Sequence, residues 1–284
     1  MHFGFVVPYA DSREFSDLAR LGEEHGWDAV FTWEALFGVH AWVSLAAAAM
    51  QTERIRLGTL LTPVPRVRPW DLASAVGTVD RLSSGRVILG AGLGALHEGW
   101  TAFEADEGRR TRAQKLDEGL AVYAGLMRGQ PFEFHGRHYH AEPTDFMLPD
   151  PPVQRPHPPV WVVGAKVAGR ARQPSLERAA RWQGLLPQWI DGEASGKPFD
   201  PDQLASMVAD VRGYREDAGL SWEGYDVIVE GDSYGEWQSA SAGDPLTWAQ
   251  AGATWWVESW WSIDRGADGL AELRRRIKAG PPEA

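Results

Sequence analysis

Eight short apolar runs punctuate the chain: HFGFVVP at 2–8, DAVFTW at 28–33, IRLGTLL at 55–61, RVILGAG at 86–92, PVWVVG at 159–164, QGLLPQ at 183–188, YDVIVEG at 225–231 and ATWWVES at 253–259. Each is continuous rather than alternating, the pattern of a strand buried on both faces of a parallel sheet. Helical patterns fill the intervals. Phe15, Leu18, Ala19 and Leu21 share one face, with Ser12 as the expected cap. Residues 42–50 are rich in alanine, Pro69 opens a helix running to Leu82, and Leu116, Leu120, Tyr123 and Leu126 repeat at helical spacing. Further helical stretches cover 176–182, 201–218, 245–251 and 270–278.

Strand and helix therefore alternate eight times in 284 residues. This predicts an α/β chain with a parallel sheet, closed as a single-domain (β/α)8 barrel with insertions; an open doubly wound sheet is the runner-up. Three segments interrupt the rhythm: 95–111, 129–158 and 187–200. The second reads as a hairpin, FEF and HYH flanking His135-Gly136-Arg137, with a proline-rich return. The third reads as a loop.

Composition narrows the function classes. A net charge of −11 argues against a nucleic-acid partner, whose phosphates need a basic surface. No apolar run reaches membrane-spanning length, and the N-terminus lacks a signal-peptide pattern. The absence of cysteine excludes disulfides and a thiolate-bound metal, so a cytoplasmic location is expected. The 15 tryptophans include Trp33, Trp42, Trp100 and Trp189, which point to an apolar or planar small-molecule substrate.

Candidate chemistry gathers at the strand ends. The run RVILGAGLGALHEGW, 86–100, carries Gly90, Gly92 and Gly94 at two-residue spacing. It is not a dinucleotide fingerprint: the spacing is wrong, no helix opens inside it, and Asp106 follows no second strand. Barrel ligands bind at the C-terminal ends of strands, where these glycines fall. LGTLLTPVPRVRPW ends the third strand, VVGAKVAGRAR the fifth, and FTWEALFGVHAW the second. The fifth-strand run, with Lys166, Arg170 and Arg172, is a candidate anion cradle. His135, His138 and His140 have a metal-like look, but His138 and His140 share a face with no carboxylate at fitting spacing, so no metal is expected.

Taken together, EEHGWDAVF, the run from Thr52 to Gly94, RAQKLDEGLAVYAGLMRGQPFEFHGRHY and PPVWVVGAKVAGRARQPSLERAARWQGLLP resemble the bacterial luciferase-like flavin-dependent oxidoreductases. The resemblance covers most of the chain. It implies a (β/α)8 barrel that binds FMN or a deazaflavin, coenzyme F420. It implies a flavin ring against the end of strand three, with a non-prolyl cis peptide at Thr59-Leu60 and Leu61 beside it. Gly92, Leu93 and Gly94 would let the backbone pass close to the ring, with Trp33 beside it. Gly164, Ala165 and Lys166 would hold the phosphate end, and Arg110 matches a tail-binding position. A homodimer is implied too, supported by Trp42 and Trp70 on helices two and three.

Glu34, beside an aromatic at a strand end, is the first acid/base candidate; His97 with Glu98 is the second, and His40 the third. Many deazaflavin-using relatives carry Asp-His where this chain has Trp33-Glu34. Three function classes stand: a monooxygenase using reduced FMN and oxygen, supplied by a separate flavin reductase; a deazaflavin-dependent hydride-transfer enzyme; and a non-catalytic flavin-binding barrel.

Overall fold

A computed structural model describes residues 1–96, 99–191, 199–236, 241 and 243–282. All eight apolar runs form strands: β1 (His2–Val6), β2 (Ala29–Thr32), β3 (Arg56–Pro63), β4 (Val87–Gly92), β7 (Val160–Val167), β8 (Gly184–Ile190), β9 (Asp226–Gly231) and β10 (Trp255–Ser259). They close in the order β1-β10-β9-β8-β7-β4-β3-β2, every neighbour parallel. This is a (β/α)8 barrel, not an open sheet. The two short strands β5 (Phe134–His135) and β6 (His140–Ala141) form a separate antiparallel hairpin.

Eight α-helices follow the pattern: α1 (Ser12–Glu24), α2 (Ala41–Ala49), α3 (Pro69–Leu82), α4 (Gly108–Arg128), α5 (Pro174–Ala179), α6 (Pro201–Asp217), α7 (Pro245–Gln250) and α8 (Ala267–Ala279). Helix α1 is capped by Asp11 rather than Ser12. Asp11 accepts from the backbone N–H of Arg13 and Glu14, and Glu14 accepts from Asp11 N–H, a reciprocal box that needs an acid three residues on. The expected loop at 187–200 begins later: Lys166 pairs with Trp189 and Val167 with Ile190, so β8 extends through Ile190, and residues 192–198 lie outside the described residues.

Alternate strand residues separate two apolar clusters. Ala29, Phe31, Ile88, Trp161, Ile228, Trp255 and Val257 fill the barrel, while Val30, Val87, Leu89, Val160, Val227 and Trp256 face the helices. At the N-terminal end, the Trp161 and Trp255 indoles lie 5.2 Å apart and both donate to the Asp226 carboxyl at 3.0 Å. Burial pushes that carboxyl above its usual range, and the indole hydrogen bonds oppose the shift. Space for these rings comes from glycine: a Cβ on Gly184 would stand 2.3 Å from Trp161, and one on Gly58 would stand 2.6 Å from Phe31. The aromatic plug fills this end of the barrel.

Candidate active site

A cavity of about 420 Å³ opens at the opposite, C-terminal end. It falls in the size range of small-ligand sites. Its apolar floor is made by Leu60, Leu61, Leu93, Val163 and Leu186, and Trp33 and Trp261 stand together at its wall, 5.9 Å apart and edge to face. Polar groups converge from other elements: Glu34 after β2, Ser175 and Arg178 on α5, Arg109 on α4, Gln188 on β8 and Glu230 on β9.

The floor is built by a bulge. Thr59 pairs with Leu89 and Thr62 with Ala91, so Leu60 and Leu61 together stand opposite Gly90. The non-prolyl cis bond joins Leu60 to Leu61, one residue beyond the position implied by the resemblance. Only glycine fits opposite the bulge, because a Cβ on Gly90 would lie 2.1 Å from the Thr59 carbonyl oxygen. Thr59 itself is fully buried below the floor and donates to the Gly90 carbonyl at 3.2 Å.

Glu34 is a strongly perturbed carboxyl at this mouth. Burial raises it to about 7, against opposing contributions from Thr62, Trp42 and the Arg66 charge. Thr62 Oγ1 lies 3.2 Å from Glu34 Oε1 and 3.0 Å from Thr59 Oγ1. A hydroxyl has one proton to give. Thr62 donates to Glu34 when the acid is ionised. When Glu34 is protonated, donation can run in series from Glu34 to Thr62, Thr59 and the Gly90 carbonyl. The buried Trp42 indole N–H favours the carboxylate without closing to a full hydrogen bond.

Other expected residues fall as follows. Trp33, Leu60, Leu61, Leu93, Gly94 and Ala165 line the cavity. Gly92 lies just beneath it: a Cβ there would meet Leu61 at 2.8 Å and Val163 at 3.2 Å. Gly94 has φ of +77°, and a Cβ would meet Trp100 at 1.7 Å. Gly164 faces away, toward Leu185 and Leu176. Lys166 also points out of the cavity, pairing with Asp210 on α6 at 2.7 Å and donating to Ser206 Oγ at 2.7 Å. The side chain alternates with Ala165 along β7, so only one of the two can face inward. Arg110 is exposed and its neighbour Arg109 lines the cavity instead, a step of one residue around the helix. His97 and Glu98 lie outside the described residues, and His40 is exposed at the start of α2.

Sequence reading missed Glu230, Ser175, Arg178 and Gln188. Glu230 left one signal, an acid inside the otherwise apolar run YDVIVEG. Its carboxyl is raised by burial and accepts a hydrogen bond from Ser259 Oγ at 3.1 Å. Arg178 is held by Asp117 of α4 through bonds of 2.6 and 2.9 Å. Ser175 Oγ accepts from Ala165 N–H at 3.0 Å. An apolar floor with cations and a hydroxyl at one side fits a flavin-type group, whose flat ring is apolar and whose tail carries phosphate.

Trp33 also borders a second cavity of about 530 Å³, lined by Tyr9, Phe37, Ser44 and Arg265 among others. Its indole N–H is fixed by the Pro8 carbonyl at 2.7 Å.

Residues 1–232 match the profile of a family described as luciferase-like monooxygenase. Over 228 residues the chain is 31% identical to the F420-dependent glucose-6-phosphate dehydrogenase of Nakamurella multipartita, covering 72% of this chain and 66% of that protein. The match thus spans just under two thirds of that relative's own length. Two solved structures share the fold. The monooxygenase RslO1 from Streptomyces bottropensis superposes with a TM-score of 0.73 at 22% identity, over 98% of this chain and 97% of its own. The coenzyme F420-dependent tetrahydromethanopterin reductase from Methanopyrus kandleri gives 0.73 at 18%, over 98% of both chains.

Proposed function

The chain belongs to the luciferase-like monooxygenase family, and on that footing we propose that it is an oxidoreductase that moves a hydride between the deazaflavin coenzyme F420 and a small alcohol or carbonyl compound. One observation carries this reading above the others: Glu34, a carboxyl raised to about 7, stands at the edge of the ring-sized cavity. Oxidising an alcohol releases one hydride and one proton. A carboxylate that titrates near neutrality is matched to accept that proton. Sequence relatives named as F420-dependent dehydrogenases support the same choice.

When bound, the coenzyme supplies the hydride acceptor or donor; the rest falls to the chain. Leu60, Leu61 and Val163 seat the ring and exclude water from one side of it. Arg109, Arg178 and Ser175 would hold the phosphate-bearing tail, with Ser175 oriented by the Ala165 N–H. Glu34 takes or returns the proton, with Thr62 orienting its carboxyl. The cavity beyond Trp33 admits the substrate. In the cell the protein works as a homodimer, with the exposed Phe37, Val43, Met50 and Trp70 packing against a second copy. Trp42 takes no part in that surface, because its side chain is buried within its own chain.

The same apolar floor would seat FMN, so the cofactor decides between the two catalytic readings. Anaerobic titration of purified protein with F420 and, separately, with FMN is the test, read by cofactor fluorescence. The expected result is at least tenfold tighter F420 binding. Tighter FMN binding would replace hydride transfer by monooxygenation, with a separate reductase as partner. Failure of both to bind would leave a non-catalytic barrel.

A further inference from the structure

The hairpin at 133–142 lies outside the proposed active site and carries a second arrangement of chemistry-bearing side chains. Strand pairing sets His135 directly opposite His140. Glu133 and Glu142 lie two residues out on each side, so the period of a strand puts all four on one face. All four are exposed, while Phe132, Phe134 and Ala141 between them are half-buried. The opposite face is anchored on α4. Glu118 accepts the backbone N–H groups of Arg137, His138 and Tyr139 at 3.0, 2.8 and 3.1 Å, and these bonds hold its carboxyl below the usual range. His138 turns to Gln114, away from the other two histidines.

Each ring of the facing pair uses its outer nitrogen on an acid. His135 Nε2 bonds Glu133, and His140 Nε2 lies 2.9 Å from Glu142. An ionised carboxylate only accepts, so both Nε2 atoms must carry the proton. In neutral rings both Nδ1 atoms are then bare, and they face each other at 2.9 Å. Two lone pairs do not attract, so the contact needs a cation between them: a proton shared by the two rings or a metal ion.

We propose that this face is a binding site for a borderline divalent cation of the zinc class, with His135 Nδ1 and His140 Nδ1 as ligands. Glu133 and Glu142 fix the ring orientations from behind, the arrangement in which a metal-bound imidazole donates its other N–H to a carboxylate. Tetrahedral zinc at about 2.05 Å from each nitrogen sets them about 3.3 Å apart, a small opening from the observed separation. One donor atom each from His135, His140 and Glu142 falls within 4.8 Å, so the Glu142 charge stands near the ion while its carboxylate holds His140 Nε2–H. Water completes the shell. Nitrogen donors without thiolate select zinc, nickel or copper over magnesium or calcium.

The test is calorimetric titration of tag-free full-length protein with Zn²⁺ near neutral pH. One zinc per chain is expected. His135→Ala and His140→Ala should each weaken it by at least about tenfold, Glu142→Gln by about tenfold, and His138→Ala not at all. Circular dichroism checks that the variants fold. A second readout needs no variant: in ¹⁵N spectra of the wild-type imidazoles, zinc should move the Nδ1 signals of two histidines and leave their Nε2 protonated. Zinc binding that survives the His135→Ala/His140→Ala double variant would overturn the site, as would an absence of binding to the wild type.

Discussion

Glu34 carries the sharpest expectations at the scale of a single residue. Its carboxyl is raised from 4.5 to about 7 in the folded chain, with burial as the cause. Below pH 4.5 it is protonated folded and unfolded alike, and it costs nothing. Between 4.5 and 7 the unfolded chain has lost the proton and the folded chain has kept it, so stability falls as pH rises. The total is on the order of 3 kcal/mol, reached above pH 7. Glu34→Gln removes this decline. Urea unfolding at pH 5 and pH 8 should therefore find the variant gaining on the wild type at the higher pH. Activity should move the other way. Alcohol oxidation needs the carboxylate, so the wild-type rate should climb through pH 7 and level off. The variant should lose about 10²–10⁴-fold and show no such limb. A variant with full activity would remove Glu34 from proton transfer.

Two neighbouring glycines of β4 separate barrel construction from ligand binding at the scale of the element. Gly90 meets backbone, the Thr59 carbonyl, which cannot give way. Gly90→Ala should destabilise by about 3 kcal/mol or more, read from the urea midpoint. Gly92 meets only the tips of Leu61 and Val163. Gly92→Ala should cost about 1 kcal/mol and weaken coenzyme binding by pushing Leu61 into the cavity. The phosphate end has a matching contrast. Lys166 already pairs with Asp210 in a largely buried bridge, so Lys166→Ala should cost about 1–3 kcal/mol and leave coenzyme affinity unchanged. Arg109→Ala should weaken F420 by about tenfold but not a phosphate-free deazaflavin, since a charge-assisted bond is worth about 1.5–3 kcal/mol. Equal losses for both ligands would put the phosphate elsewhere.

At the scale of the whole molecule, ligand and partner should both register as stability. Coenzyme at 100 times its Kd should add about 2.7 kcal/mol, a rise in Tm of roughly 5–10 °C by calorimetry. FMN at that same absolute concentration should match this rise only if it binds as tightly as F420. Exposed apolar side chains at Phe37, Val43, Met50 and Trp70 predict a dimer, and sedimentation velocity at micromolar concentration should find twice the mass of 31.4 kDa. Among the described residues, no helix is long and apolar enough to cross a membrane.

The repeating order of strand and helix was legible from the apolar runs alone, because burial on both faces makes a parallel strand continuous and leaves helices periodic. The place of Glu34 and the strand-three end at the cavity was legible for a related reason: both fall at the C-terminal ends of β-strands. What faces what was not legible. Lys166 and Ala165 are adjacent in sequence but point to opposite sides of β7, and the strand register that decides between them is a property of the closed barrel. Arg109 and Arg110 differ by one step around α4. Glu230, Arg178 and Ser175 lie 136, 84 and 81 residues beyond Gly94, and only closure of β4 through β7 and β8 to β9 brings them to one cavity. The hairpin histidines make the same point at short range. Spacing along the chain pairs His138 with His140, whereas the antiparallel turn pairs His140 with His135 and brings two carboxylates to the same face. Local propensity reads along the chain; site chemistry reads across it, and tertiary pairing alone supplies that second direction.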